Sequence, residues 1–212
     1  MSSQSVLHPD HNMPRSELAV VFARQLKRLE ELGYTAKLSL AHHDALMGLE
    51  KKVLAINPLE VDEAMPFAIV IPESVIPLTA QLKLAGAYSF LPANEMHDRF
   101  DEPEIDQPYL IKDISAGKDT ARSSSDNAVK KITSAGRLPL DIYETLAVIL
   151  HYSVMNEDIR GLHAARTIHR RAGDEDTVID LYRFADSLKV KRDTGDKNDP
   201  QWVTPSCKER VI

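Results

Sequence analysis

Gly117-Lys118-Asp119-Thr120 has the composition of the end of a phosphate-binding loop, where backbone N–H groups turned inward by glycines cradle phosphate and a lysine follows. The glycine required five positions earlier is Lys112, so that chemistry is excluded. The same turn reads Asp113-x-Ser115-x-Gly117-x-Asp119, whose alternating oxygens suit calcium. It lacks the fifth-position oxygen, the sixth-position glycine and the late bidentate glutamate of such loops, and a hairpin turn with Gly117 left-handed is the better account. His42-His43-Asp44 falls on a helical pattern, where neighbours point about 100° apart and cannot share one ion. His163-x5-His169 has no carboxylate close in sequence to complete a transition-metal set.

Between Arg160 and Arg171 stand four arginines, two histidines and no acid. Such a strip can hold a phosphate or carboxylate through bidentate guanidinium contacts, and Arg166, Arg170 and Arg171 are the strongest positions for it. It can equally pair within the molecule, because Leu91 to Gln107 carries six acids against the single base Arg99. Internal pairing is the favoured reading. The acidic segment itself reads as a solvated loop, with docking of a basic partner as the alternative. Cys207, the only cysteine, excludes an intrachain disulfide framework, and it becomes a nucleophile only if a base such as His151 approaches it. Trp202, the only tryptophan, reads as a packing anchor.

These residues need elements to position them. Residues 1–13 are polar without apolar period and predict a disordered tail. Ser16 caps a helix whose face runs Leu18, Val21, Phe22, Gln25, Leu29 and Leu32 until Gly33 stops it. A second helix spans Ser39 to Val53, weakened at Gly48 by roughly 1 kcal/mol relative to alanine. Residues 14–57 therefore form a helical hairpin, and 58–212 an α+β domain packed with it as one compact unit. Phe67 to Ile71 between prolines predicts a short strand, Leu78 to Leu84 a helix closed by Gly86, and Tyr109 to Ile114 a strand. Ser124 or Ser125 caps a helix stopped by Gly136, and Asp141 with Glu144 has the spacing of a capping box before a helix ending near Asn156. Thr177–Phe184 and Leu188–Lys191 predict an antiparallel pair, Asp193–Pro200 a polar loop, and Gln201–Thr204 a last short strand. The fold class is α+β, an N-terminal helical hairpin on a mixed, largely antiparallel sheet with two central helices.

At 212 residues, with 43% hydrophobic residues and a net charge of −6, the chain has an ordinary globular composition and no basic footprint for nucleic acid. Its longest apolar runs fall far short of the roughly 20 residues of a membrane helix, and the N-terminus carries no basic-then-apolar signal pattern. A cytoplasmic protein without a membrane partner is expected, and no cofactor motif is present.

Phe22-x2-Gln25-x3-Leu29-x3-Gly33-Tyr34, the PYLIKDISAGKDT segment, Gly136-Arg137-x-Pro139-Leu140, His151-Tyr152, and Trp202 with Ser206-Cys207-x2-Arg210 together resemble an uncharacterised bacterial domain family of unknown function. The resemblance runs from about Ser16 to the C-terminus and implies a cytoplasmic bacterial protein with an α+β domain and no activity to import. By position it draws attention to Arg137, His151, Trp202, Cys207 and Arg210. Similar proteins are richer in glycine and tryptophan around Asp193 to Thr204, where this chain departs. The expectation is a noncatalytic module that binds another protein or a small anionic ligand, with Arg137, His151, Arg166, Arg170, Trp202, Cys207 and Arg210 as candidate residues. The alternative is a small hydrolase or transferase using His151 with Cys207 or an arginine.

Overall fold

A computed structural model describes residues 15–57, 65–89, 91–100, 102–170, 176–185, 187–193 and 199–212. The expected disordered tail, Arg171 and most of the polar loop after Asp193 lie outside the described residues. In chain order the elements are α1 (Arg15–Glu31), α2 (Leu40–Leu54), β1 (Met65–Val70), α3 (Leu78–Leu84), β2 (Ala87–Ser89), β3 (Met96–Asp98) and β4 (Tyr109–Ile114). There follow α4 (Ser125–Ser134), β5 (Leu138–Pro139), α5 (Ile142–His151), β6 (Gly161–His169), β7 (Thr177–Phe184), β8 (Ser187–Asp193), β9 (Trp202–Val203), β10 (Ser206–Cys207) and β11 (Glu209–Val211). This is an α+β fold with an N-terminal helical hairpin.

Two apolar cores share one small sheet. β4 lies between β1 and β11, both antiparallel to it. Alternate side chains of the sheet point to opposite faces. On one face Phe67, Ile69 and Leu110 pack against Leu18, Phe22 and Leu29 of α1 and Leu46, Leu49 and Val53 of α2. Those helix positions recur at three- and four-residue intervals, the spacing of one helical face. On the other face Ala68, Val70, Tyr109 and Ile111 join a core with α3, α5 and the second sheet. Truncating a residue such as Phe22 to alanine would cost about 3–5 kcal/mol.

The second sheet runs β2-β8-β7-β6-β3, with β9 alongside β6. β2 on β8 and β9 on β6 are parallel, and the remaining pairs are antiparallel. α5 begins with the expected capping box: the Asp141 carboxylate accepts from the Glu144 N–H while Glu144 reaches back to the Asp141 N–H.

The structure departs from the sequence reading at definite places. The arginine- and histidine-rich strip is β6, a strand buried along its whole length. The acidic segment is not simply a solvated loop, since Ala93–Glu95 forms a 3-10 turn and Met96–Asp98 pairs with β6. β1 begins at Met65 and runs through Pro66, and its register passes over Pro66 and Asp113, as suits a residue with no N–H to give. Gly117 is left-handed as expected (φ 81°), yet the chain continues into a 3-10 turn, Lys118–Thr120, instead of returning as a hairpin. α5 ends at His151 because Tyr152 turns extended, which carries its hydroxyl to the Phe67 carbonyl.

Candidate functional site

Arg166 comes from the middle of β6 and Arg210 from β11, and the fold brings them to one carboxylate. Glu102 Oε2 lies 2.7 Å from Arg166 Nη1 and 3.2 Å from Arg210 Nη1. Arg166 Nε also donates to both oxygens of Asp98 at 2.9 Å, and its Nη2 closes a second contact with that carboxylate. Arg210 is bidentate on Glu144, with Nε on Oε1 at 2.5 Å and Nη2 on Oε2 at 3.0 Å. Glu144 is fully buried and accepts further from the Tyr109 hydroxyl at 3.1 Å and the Asp141 N–H at 3.0 Å. The basic strip and the acidic segment are thus largely each other's partners: Glu95 also meets His169 Nε2 at 2.8 Å.

These groups border a pocket of about 340 Å³ between β3, the acidic segment, the start of α5 and β11. Its wall includes Asp98, Glu102, Asp141, Arg166 and Arg210, with Tyr109 and Tyr143. Glu73 and Glu104 line it as well. Glu73 is occupied by the Leu78 N–H and the Tyr143 hydroxyl, while Glu104 meets no cationic partner among the described residues.

Carboxylates outnumber guanidiniums here, and the protonation states follow. Burial, then the charge of Glu144, holds the Asp141 carboxyl above the usual range despite Arg166 and Arg210. Burial and the same charge push the Tyr109 phenol up, so it stays a donor. Asp98 goes the other way: burial opposes its charge, but the hydrogen bonds from Arg166 outweigh it and hold the carboxyl below its ordinary value. Burial likewise opposes the charge on Arg210, and Glu144 outweighs it. Among the described residues no group of three or more His, Cys, Asp or Glu is arranged to hold a metal ion.

The other residues singled out in the sequence lie elsewhere. Arg137 ties the end of β4 to β10, with Nη1 on the buried Asp113 carboxylate at 3.2 Å and Nε on Ser206 Oγ at 2.9 Å. Trp202 packs against Gly161, His163 and Tyr182 with the Lys191 ammonium 4.4 Å from its ring. Arg170 pairs with Asp176 on the surface.

His151 and Cys207 share no hydrogen bond among the described residues. Cys207 is fully buried in β10, and burial with the charge of Glu144 pushes its thiol up. His151 Nε2 bonds the Ile69 carbonyl at 3.1 Å, and burial pushes its imidazole down to about 4. With Gln25, which accepts from Ile69 N–H and donates to the Phe67 carbonyl at 2.9 Å each, and with Tyr152 on that same carbonyl, it lines the outer side of β1.

A family model described as a family of unknown function (DUF5701) matches residues 28–177. The chain belongs to that family. No curated protein and no solved structure matches the chain. The DUF5701 segment contains Asp98, Glu102, Tyr109, Asp141, Glu144 and Arg166, whereas Arg210, Trp202 and Cys207 follow it. The pocket of this DUF5701 protein is therefore completed by a guanidinium from outside the matched segment.

Asp98, Glu102, Asp141 and Glu144 escaped the sequence reading as site residues. Asp141 and Glu144 were legible only as a helix cap. The usable signal was the complementarity of the two oppositely charged segments, which names the acidic stretch as the partner of Arg166 without naming its residues.

Proposed function

We propose that the protein is a noncatalytic binding module whose site is the pocket between Arg166 and Arg210. Its occupant is a small molecule or protein segment that presents an ammonium or guanidinium group. The observation that carries this reading is the charge of the wall: Glu73, Asp98, Glu102 and Glu104 stand against two arginines already engaged by Asp98, Glu102 and Glu144. A small anion, the ligand that arginine content alone favours, would have to displace those carboxylates. A cation finds acceptors ready, and Tyr143 offers aromatic surface beside them. The volume sits at the small end of the roughly 300–1,000 Å³ of ligand pockets.

A bacterial cytoplasmic setting belongs to the same proposal and is supported by the family resemblance and the single buried thiol. A hydrolase or transferase using His151 with Cys207 has less support, because the thiol is inaccessible and the imidazole is already committed to Ile69.

Calorimetric titration with a panel of aromatic and aliphatic amines, each beside its matched carboxylate, tests the proposal. Saturable one-to-one binding of an amine, weakened by Glu104→Gln, is the expected result. Binding of the carboxylates alone, or amine binding indifferent to Glu104→Gln, would overturn it.

A further inference from the structure

α2 is apolar on two sides. Its inward side fills the hairpin core with Leu46, Leu49 and Val53. Its outward side carries Leu40, Met47 and Leu54, exposed at 79%, 43% and 40% and spaced by seven residues. A helix buried against its own fold has no need of a second apolar stripe.

Gly48 adds an independent oddity. It sits mid-helix, where glycine is unfavourable, with an ordinary helical backbone, and a Cβ added there would meet nothing within 4 Å. Nothing among the described residues therefore calls for glycine. Close approach of another backbone would. Ala41 and Ala55, seven residues to either side of Gly48, are exposed as well and repeat the small residue at one-heptad intervals.

We propose that this face binds a second copy of the chain, α2 against α2, antiparallel about a two-fold axis between Met47 and Gly48. Such an axis places residue n opposite the residue numbered 95 minus n in the other copy. The axis keeps each stripe on its own side of the seam, so Met47 packs beside the partner's Met47 and Leu40 beside the partner's Leu54, while Ala41, Gly48 and Ala55 let the two backbones approach on the other side. The same operation sets Asp44 opposite the partner's Lys51, and by symmetry Lys51 opposite the partner's Asp44. Asp44 and Lys51 are exposed and meet no opposite charge among the described residues, and the pairing gives each of them one.

The apolar stripe is centred on Met47, the small-residue stripe on Gly48 and the Asp44–Lys51 pair between them, so all three fall on the same axis. Parallel pairing or a heterologous partner predicts no such coincidence. One helix face is smaller than the ~800 Å² per partner of a standard interface, so the association is a reversible, concentration-dependent dimer. This surface is independent of the pocket reading.

Sedimentation equilibrium of the full chain, from low micromolar to high micromolar concentration, tests it. The expected result is a monomer–dimer equilibrium. Asp44→Lys and Lys51→Glu should each weaken it by about tenfold or more, since symmetry installs each like-charge contact twice. The double variant Asp44→Lys/Lys51→Glu should restore it. Gly48→Leu should abolish the dimer while the monomer remains folded by circular dichroism. A wild-type chain that stays monomeric throughout, a dimer unaffected by the charge reversals, or a double variant no tighter than the singles would each overturn the proposal.

Discussion

Replacing Arg210 by methionine tests whether the buried ion pair beneath the pocket is what holds β11 to α5. Glu144 is fully buried, and two of its four hydrogen bonds come from that guanidinium. Without Arg210 the carboxylate keeps only the Tyr109 hydroxyl and the Asp141 N–H, beside a second carboxyl that already resists ionisation. Removing one partner of a buried pair costs about 3–5 kcal/mol, which for a chain of this size lowers the melting temperature by roughly 6–20 °C. Urea unfolding followed by circular dichroism at about pH 7 reads the loss. Glu144→Gln/Arg210→Met should lose clearly less than the sum of the two single losses. A loss below about 1 kcal/mol for Arg210→Met, or full additivity in the double variant, would refute the reasoning.

Three further outcomes follow from the same structure. His151 is held neutral by burial, its pKa falling from about 6.5 unfolded to about 4 folded, so its contribution is present above the unfolded value and lost as pH falls through that range. Wild type should therefore lose stability more steeply than His151→Phe across that window in pH-dependent unfolding. Gly117→Ala puts a Cβ 2.1 Å from the Thr204 carbonyl oxygen at φ 81°, and its denaturation midpoint should fall by the equivalent of about 3 kcal/mol or more. Gly161→Ala puts a Cβ 2.3 Å from the Trp202 ring, so the indole must move; because Trp202 is the only tryptophan, a red-shifted emission spectrum reports the displacement directly.

Local signals carried the helices and β4. Ser39 and Ser124 cap α2 and α4, Gly33 and Gly136 end α1 and α4 with positive φ, and the Asp141–Glu144 box opens α5. β6 was illegible because its polar residues look like surface. Their satisfaction comes from Asp180, Asp98 and Glu95, which lie 17, 68 and 74 positions away along the chain. Short elements such as β10 and β11 owe their existence to pairing with β5 and β4, which no local pattern announces. The site was legible to the extent that Arg166 and Arg210 stood among the candidates. Their convergence depends on β11 docking beside β4, a nonlocal event. His151 and Arg137, also singled out in the sequence, bond a backbone carbonyl and a buried carboxylate inside the fold.

The side chains along the outer side of β1 also constrain how the molecule can be made. β1 is an edge strand, apolar throughout, and its outward Phe67 and Ile69 groups are taken by Gln25, His151 and Tyr152 instead of by another strand. Those three come from α1, the end of α5 and the residue after it, more than 80 positions from β1 on the far side. Until α5 is synthesised and docked, β1 has only Gln25 along this side and offers a hydrophobic edge of the kind that templates intermolecular pairing. Refolding yield should therefore fall with rising protein concentration, and truncations that stop before His151 should aggregate even though they retain the helical hairpin and both strands β1 and β4.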